Sequence, residues 1–222
     1  MLQQINKKII FYISLVIILG TFNNKNLKDF DLPKINIIDI EGMEFNNSEF
    51  LKITNLIKFN NLLSIQKSQI KEILNSNNLI EEYEVFKRYP SSIEIKIEKT
   101  NFLASTNING KNYLVGSNGK FIYTKDYSQN LPFIFGNFET EKFLEFKNTI
   151  LQTELKYNNI KNFYYFPSGR WDIEMNSGVL IKLPIIGIKE SLNLSIDLLD
   201  DIEFSNIKIL DIRQKNQIVV ND

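Results

Sequence analysis

"EEYEVFKRYPSSIEIKIEK", residues 81–99, alternates polar and apolar side chains on both sides of Tyr89-Pro90-Ser91. Period-2 alternation on each side of a proline turn is the pattern of a β-hairpin. Tyr83 and Val85 fall on one face of the first strand, and Ile93, Ile95 and Ile97 on one face of the second. That apolar face has to be covered, and the preceding residues supply the cover. "KINIIDIEGM" (34–43) reads as a strand ending at Glu41-Gly42, and "SEFLKITNLI" (48–57) as a helix that Asn47 or Ser48 can cap. "SQIKEILNSN" (68–77) places Ile70, Ile73 and Leu74 at i, i+3 and i+4, with Ser68 as its cap. The predicted order is β-α-α-β-β: three strands with two helices on one face.

The second half has a different grain. Asn109-Gly110 and Asn118-Gly119 are tight-hairpin signals within "NINGKNYLVGSNGKFIY" (107–123). "LPFIFG" (131–136) reads as a brief buried run, and "TEKFLEFKNTILQTEL" (140–155) puts Phe143, Phe146, Ile150 and Leu151 at helical spacing. "NIKNFYYF" and "GRWDIEMNSGVLIKLP" read as strands, the latter with Trp171, Ile173 and Met175 on one face and Trp171 as a core anchor. A helix near "KESLNLSIDLLDD" precedes the closing "ILDIRQKNQIVVND" (209–222). Strands, a helix, then strands again predict an α+β domain on a mixed or antiparallel sheet, with its boundary near Lys99 to Phe102. In the closing stretch Gln214-Lys215-Asn216-Gln217 breaks an apolar pattern. The run Ile218-Val219-Val220 is expected to be a last strand whose far side is uncovered.

Composition narrows the chemistry. With 43% hydrophobic residues and 17 Phe, the 222 residues can fill one or two cores. No Cys is present, so disulfides and thiolate nucleophiles play no part, and no His is present, the commonest general base and metal ligand. The first acidic residue is Asp29. Residues 1–28 therefore carry Lys7, Lys8, Lys25 and Lys28 unopposed, leaving 22 basic against 26 acidic residues beyond them, a net of −4. Such a body argues against nucleic acid as the main partner.

The apolar run from Ile9 to Phe22 spans about 21 Å as a helix, short of the ~30 Å hydrocarbon core. It reads as an uncleaved anchor over residues 9–24, using Ile9, Phe11, Leu15, Val16, Ile18 and Phe22, with Asn23-Asn24 included and Lys8 snorkelling. A cleaved signal peptide and a buried soluble helix are the alternatives. Lys7 and Lys8 favour a cytoplasmic tail at residues 1–8 and a periplasmic body, reached through a polar linker at 25–33.

Motifs of catalysis fail on inspection. Ser64/Lys67, Ser68/Lys71 and Ser117/Lys120 have S-x-x-K spacing, but the S-D-N and K-T-G elements that make it catalytic in penicillin-recognising enzymes are missing. "GSNGK" resembles a P-loop only faintly, its glycines being two residues apart rather than four. Asp197, Asp200, Asp201 and Glu203 cluster near a predicted helix end and read as a solvated face rather than a metal site. No catalytic, cofactor-binding or metal residues are assigned, and the chain reads as a binding module.

The run "IDIEGM…LLSIQKSQIKEIL…NLIEEYEVFKRYPSSIEIKIEKTNFLAS", followed by "YLVGSNGKFI", "LPFIFG", "GRWDIEMNSGVLIKLP" and "ILDIR", resembles the bacterial FtsQ/DivIB cell-division family in the order and spacing of its motifs from about Lys34 to Val220. Departures include Asn101 where the family often has Pro, Leu79 near a frequent Trp, Ile212 in place of Leu, and a stop at Asp222 where some members carry a longer tail. The resemblance implies a POTRA domain at 34–100 and a β domain at 101–222. It further implies a single-pass type II protein of the inner membrane at the division septum, without enzymatic activity, cofactor or small-molecule substrate. Its expected partners are FtsB- and FtsL-type bitopic proteins, and other divisome membrane proteins through the POTRA domain. An FtsB-type partner would add a strand beside Ile218, Val219 and Val220, with Arg213, Gln214 and Gln217 on the hairpin shoulder as rim contacts. Two competing readings are a POTRA-bearing assembly or secretion factor and a membrane-tethered enzyme built on carboxylates.

Overall fold

The computed structural model describes residues 7–21, 33–43, 47–58, 60–125, 131–199, 201, 207–214 and 217–221, with backbone alone at Thr21 and at 47–50. The mixed α+β architecture expected from the sequence is present. Helix α1 (Lys7–Thr21) leaves Ile9, Phe11, Leu15, Val16 and Ile18 exposed. Its 15 residues rise about 22 Å. Among the described residues no helix is long and apolar enough to cross a membrane. Phe22 and the rest of the expected anchor lie outside the described residues.

A small sheet is formed by β1 (Ile37–Glu41), β2 (Ile80–Arg88) and β3 (Ser92–Lys99) in the order β1-β3-β2. Strand β3 pairs parallel to β1 and antiparallel to β2, setting Tyr83 opposite Ile97 and Val85 opposite Ile95. Because alternate side chains share a face, Ile93, Ile95 and Ile97 all meet α2 (Asn47–Lys58) and α3 (Lys67–Asn75). Ile53, Ile57, Ile70 and Leu74 complete this core, each fully buried. Gly42 follows β1 at φ +98°, where a Cβ would collide with the carbonyl of Ile97, so only glycine fits. The cap of α3 differs from expectation. Gln66 is the N-cap and makes no side-chain capping bond, while Ser68 lies inside the first turn, where its backbone is already helical and cannot cap. The expected cap of α2 falls on side chains outside the description.

A nine-stranded sheet carries the rest, in the order β12-β11-β10-β9-β8-β7-β4-β5-β6. These strands are β4 (Phe102–Ile108), β5 (Lys111–Gly116), β6 (Phe121–Thr124), β7 (Phe133–Phe135), β8 (Ile160–Tyr165), β9 (Trp171–Met175), β10 (Leu180–Lys182), β11 (Ile209–Gln214) and β12 (Gln217–Asn221). The β4–β7, β7–β8 and β10–β11 pairs are parallel and the others antiparallel. Helices α4 (Thr140–Leu151) and α5 (Ile188–Leu199) supply the crossovers of the β7–β8 and β10–β11 pairs, while β5 and β6 lie between β4 and β7 in the chain.

Trp171 is the centre of the larger core. Its ring stacks on Phe146 at 4.9 Å and 5°, with Phe143, Phe163, Phe138 and Tyr165 around it. Aromatic pairs of this kind contribute about 0.5–1.5 kcal/mol each beyond area burial. Phe143, Phe146 and Ile150 of α4 point into this core, but Leu151 is exposed, because the helix ends there and turns its last residue outward. In "LPFIFG" Pro132 and Ile134 are buried, while Phe135 lies on the outer face of the sheet, stacked on Tyr164 at 5.0 Å. The run reads as buried because it is apolar throughout, yet a strand puts neighbouring residues on opposite faces.

The two sheets keep separate cores and are joined through polar groups. The β5–β6 turn carries the join. Asn118 Nδ2 donates to the carbonyls of Asn78 and Ile80, both at 2.9 Å, and Ser117 Oγ donates to Glu81 at 2.7 Å. Lys120 Nζ reaches the carbonyl of Asn75, and Asn78 Nδ2 donates to the carbonyl of Phe121 on β6. The "GSNGK" motif is thus a clasp between the two sheets.

Candidate functional site

Strand β12 forms one edge of the large sheet, and all five of its residues are exposed. It pairs on one side only, with Leu210 opposite Val220 and Asp211 opposite Val219. Ile218, Val219 and Val220 remain 42%, 52% and 41% accessible. β-branched side chains on a strand whose outer edge pairs with no other described strand are what an incoming strand can use. The structure brings Arg213, Gln214, Gln217 and Ile218 together around one groove at this edge.

The groove holds about 1060 Å³. Its apolar lining is Ile212 and Ile218 with a wall of Leu194 of α5, Pro184, Ile185 and Ile186, and Arg170 and Glu190 also line it. Ile186 is 88% exposed, held out by the turn between β10 and α5. Sequence reasoning missed this wall. The signal was "LPIIG": two isoleucines between Pro184 and Gly187 cannot both enter the core from a four-residue turn.

The outer face beside the hairpin is polar. Arg213 makes a forked contact with Asp211, Nη2 to Oδ2 at 2.6 Å and Nε to Oδ1 at 2.8 Å. That guanidinium holds the Asp211 carboxyl below its usual range, and Asp211 in turn raises Arg213. Arg170 pairs with Asp172 at 3.1 Å and lies 4.0 Å over the Phe166 ring. Burial pushes the Asp172 carboxyl up, against the lowering effect of Arg170. A slot of about 310 Å³ opens between Tyr164, Phe166, Arg170, Lys182 and Arg213. Asp172 and Leu180 also line the slot, and both of its arginines are already paired, Arg170 with Asp172 and Arg213 with Asp211.

The sequence-level chemical candidates disperse. Ser117 is spent on Glu81 and Lys120 on Asn75, while Ser64 Oγ donates to Asn61 at 3.1 Å. Asp197 and Asp201 are exposed, and Asp200 and Glu203 lie outside the described residues. Among the described residues no group of three or more carboxylates could hold a metal ion.

A free strand edge flanked by an apolar groove belongs to a protein of contacts, and the comparisons give its class as bacterial cell-division protein. Residues 104–213 match the family described as "Cell division protein FtsQ/DivIB, C-terminal". These matches support the FtsQ/DivIB family. It is 26% identical over 196 residues to the cell division protein FtsQ of Rickettsia bellii (strain RML369-C), a match covering 84% of this chain and 72% of that one. FtsQ of Rickettsia conorii (strain ATCC VR-613 / Malish 7) is 25% identical over 194 residues, with the same coverage. Among solved structures, the major extracytoplasmic domain of the trans isomer of DivIB from Geobacillus stearothermophilus is similar at a TM-score of 0.36 and 16% identity, covering 50% of this chain and 99% of that one.

Proposed function

We propose that this chain is a non-enzymatic bitopic scaffold of the bacterial division machinery, and that β12 is where it captures a partner. In this reading residues 9–24 anchor it in the inner membrane as a type II protein, with α1 forming most of the anchor. Residues 34–100 are a POTRA domain that engages other divisome membrane proteins, and residues 101–222 are the FtsQ-type β domain. The body faces the periplasm at the septum and supports cell-wall synthesis there. FtsB- and FtsL-type bitopic proteins are the partners, the FtsB-type one by adding a strand to β12.

The observation that carries the reading is the exposure of every residue of β12 beside an apolar groove. Strand addition gains main-chain hydrogen bonds along the edge and takes its selectivity from alternate side-chain sites. Ile218 would meet the partner's groove-facing residues, and Arg213, Gln214 and Gln217 would frame the rim. The test is affinity capture from detergent-solubilised membranes, using the tagged full chain beside a variant ending at Asn216, with circular dichroism to verify folding. Small bitopic coiled-coil proteins should co-purify with the full chain and be lost from the folded variant. Equal retention would place the docking edge elsewhere.

A further inference from the structure

We propose that the end of the small domain where β1 begins is a docking surface for anionic lipid, lying against the bilayer that holds α1. This rests on the anchor reading above and adds a second membrane contact to it.

Three segments are knitted together at that end. The Ile35 amide donates to the carbonyl of Asn60 and the Asn36 amide to that of Ser91, both at 3.0 Å. Lys34 bridges Asn61, and Ser91 Oγ donates to Asn36 Oδ1 at 2.9 Å. Lys87 reaches across to the carbonyls of Leu62 and Ile65 at 2.6 and 2.8 Å. The surface so formed exposes three large side chains: Tyr89 at 68%, Leu63 at 63% and Ile37 at 56%.

Charge is segregated here against the trend of the molecule. Residues 33–37, 58–66 and 87–93 contain Lys34, Lys58, Lys87 and Arg88 and no Asp or Glu. Lys87 is engaged by its two carbonyls, and Arg88 by Glu94 at 2.7 Å. Lys34 and Lys58 are exposed. The strands of the same sheet otherwise carry Asp39, Glu41, Glu81, Glu82, Glu84, Glu94 and Glu98 against Lys96 and Lys99. A basic end on an acidic body faces an anionic surface preferentially.

Chain length gives the surface its partner. Residues 22–32 separate α1 from Pro33, and such a segment reaches at most about 40 Å when fully extended. The end that carries Tyr89 is the one this tether enters, so it is held within that distance of the bilayer. Tyrosine with lysine and arginine is the residue set favoured at headgroup depth. Tyr89, Leu63 and Ile37 would enter the interface while Lys34 and Lys58 meet lipid phosphates. Each basic residue at an anionic surface is worth about fivefold in the local docking equilibrium at physiological salt.

Because the chain has no native cysteine, one fluorophore can be placed cleanly. The full chain carrying Leu63→Cys, or Lys142→Cys on α4 as the distant control, is labelled and reconstituted into vesicles of phosphatidylcholine and phosphatidylglycerol. The vesicles also contain a headgroup-nitroxide lipid as quencher. The label at 63 should be quenched well beyond the label at 142. That excess should fall at least fivefold with Lys34→Glu/Lys58→Glu, and in vesicles of phosphatidylcholine alone. A chain stripped from the vesicles by alkaline wash overturns the anchor reading and this inference with it. A retained chain whose two labels quench alike overturns the lipid-docking surface and leaves the anchor standing. Excess quenching indifferent to lipid charge and to the double variant also overturns it, since the contact would then be an apolar one that does not recognise anionic lipid.

Discussion

Glu174 shows how much one carboxylate can organise on an open sheet face. Tyr164 Oη donates to it at 2.6 Å, Asn162 Nδ2 at 2.8 Å and Lys161 Nζ at 2.9 Å. The tyrosine hydroxyl, chiefly, holds Glu174 down to about 2, and burial together with Glu174 pushes Tyr164 up to about 12. The folded carboxyl thus ionises below its ordinary value of 4.5. The network therefore stabilises the fold above that pH, and its contribution is lost as pH falls from 4.5 toward 2. Urea midpoints of the intact chain, measured across that window, should fall more steeply for the natural sequence than for Glu174→Gln. Equal slopes would mean the network adds no pH-dependent stability. Asn162, Tyr164 and Glu174 are far from conspicuous in the sequence. They meet because β8 and β9 pair with a bulge between Ile160 and Asn162, and a local reading has no access to that register.

Elements were legible where their information is local. Asn109-Gly110 forms its turn with both residues at positive φ, 52° and 78°, as an Asn-Gly hairpin demands. The alternation of Trp171, Ile173 and Met175 predicts their shared buried face, and all three are buried. Legibility stops where an element is defined by what lies beside it. Strand β12 can be read as a strand, but the groove next to it exists only because α5 and the turn at Ile185-Ile186 come alongside. Ile218 is the apolar residue shared by edge and groove. Replacing it as Ile218→Asp should leave the thermal midpoint nearly unchanged, since a half-exposed edge residue contributes little burial. Partner capture should nonetheless weaken at least tenfold in a binding titration with a purified FtsB-type ectodomain, because a carboxylate would be desolvated in an apolar groove. Undiminished binding would remove the groove from the proposed site.

At the scale of the molecule, the relation between the two sheets rests on a few hydrogen bonds around Asn118 rather than on a shared core. A polar joint of this size can hold one orientation, and losing its central side chain should loosen it. Asn118→Ala removes two donations at once, each worth about 1 kcal/mol net. Spin labels at Lys71→Cys on α3 and Lys142→Cys on α4 should report a single narrow distance in the parent and a broadened one in Asn118→Ala. Far-UV circular dichroism should be the same for both. A distribution that stays narrow would mean the joint is fixed by other contacts. No pattern in "GSNGK" announces this role, because its partners lie about forty residues earlier in the chain.

The Asn78 side chain has one more effect, through its bond to the Phe121 carbonyl on β6. Strands β6 and β12 are the two ends of one nine-stranded sheet. A sheet open at both ends is a polymerisable monomer: one molecule's last strand can lie along another's first, and because that contact is head-to-tail nothing closes it. Placing the small domain against β6 gives the sheet a polarity, receptive at β12 and obstructed where Asn78 sits. On the proposed reading, in which β12 takes a partner strand, many copies of the chain can then lie close together without joining into a fibre.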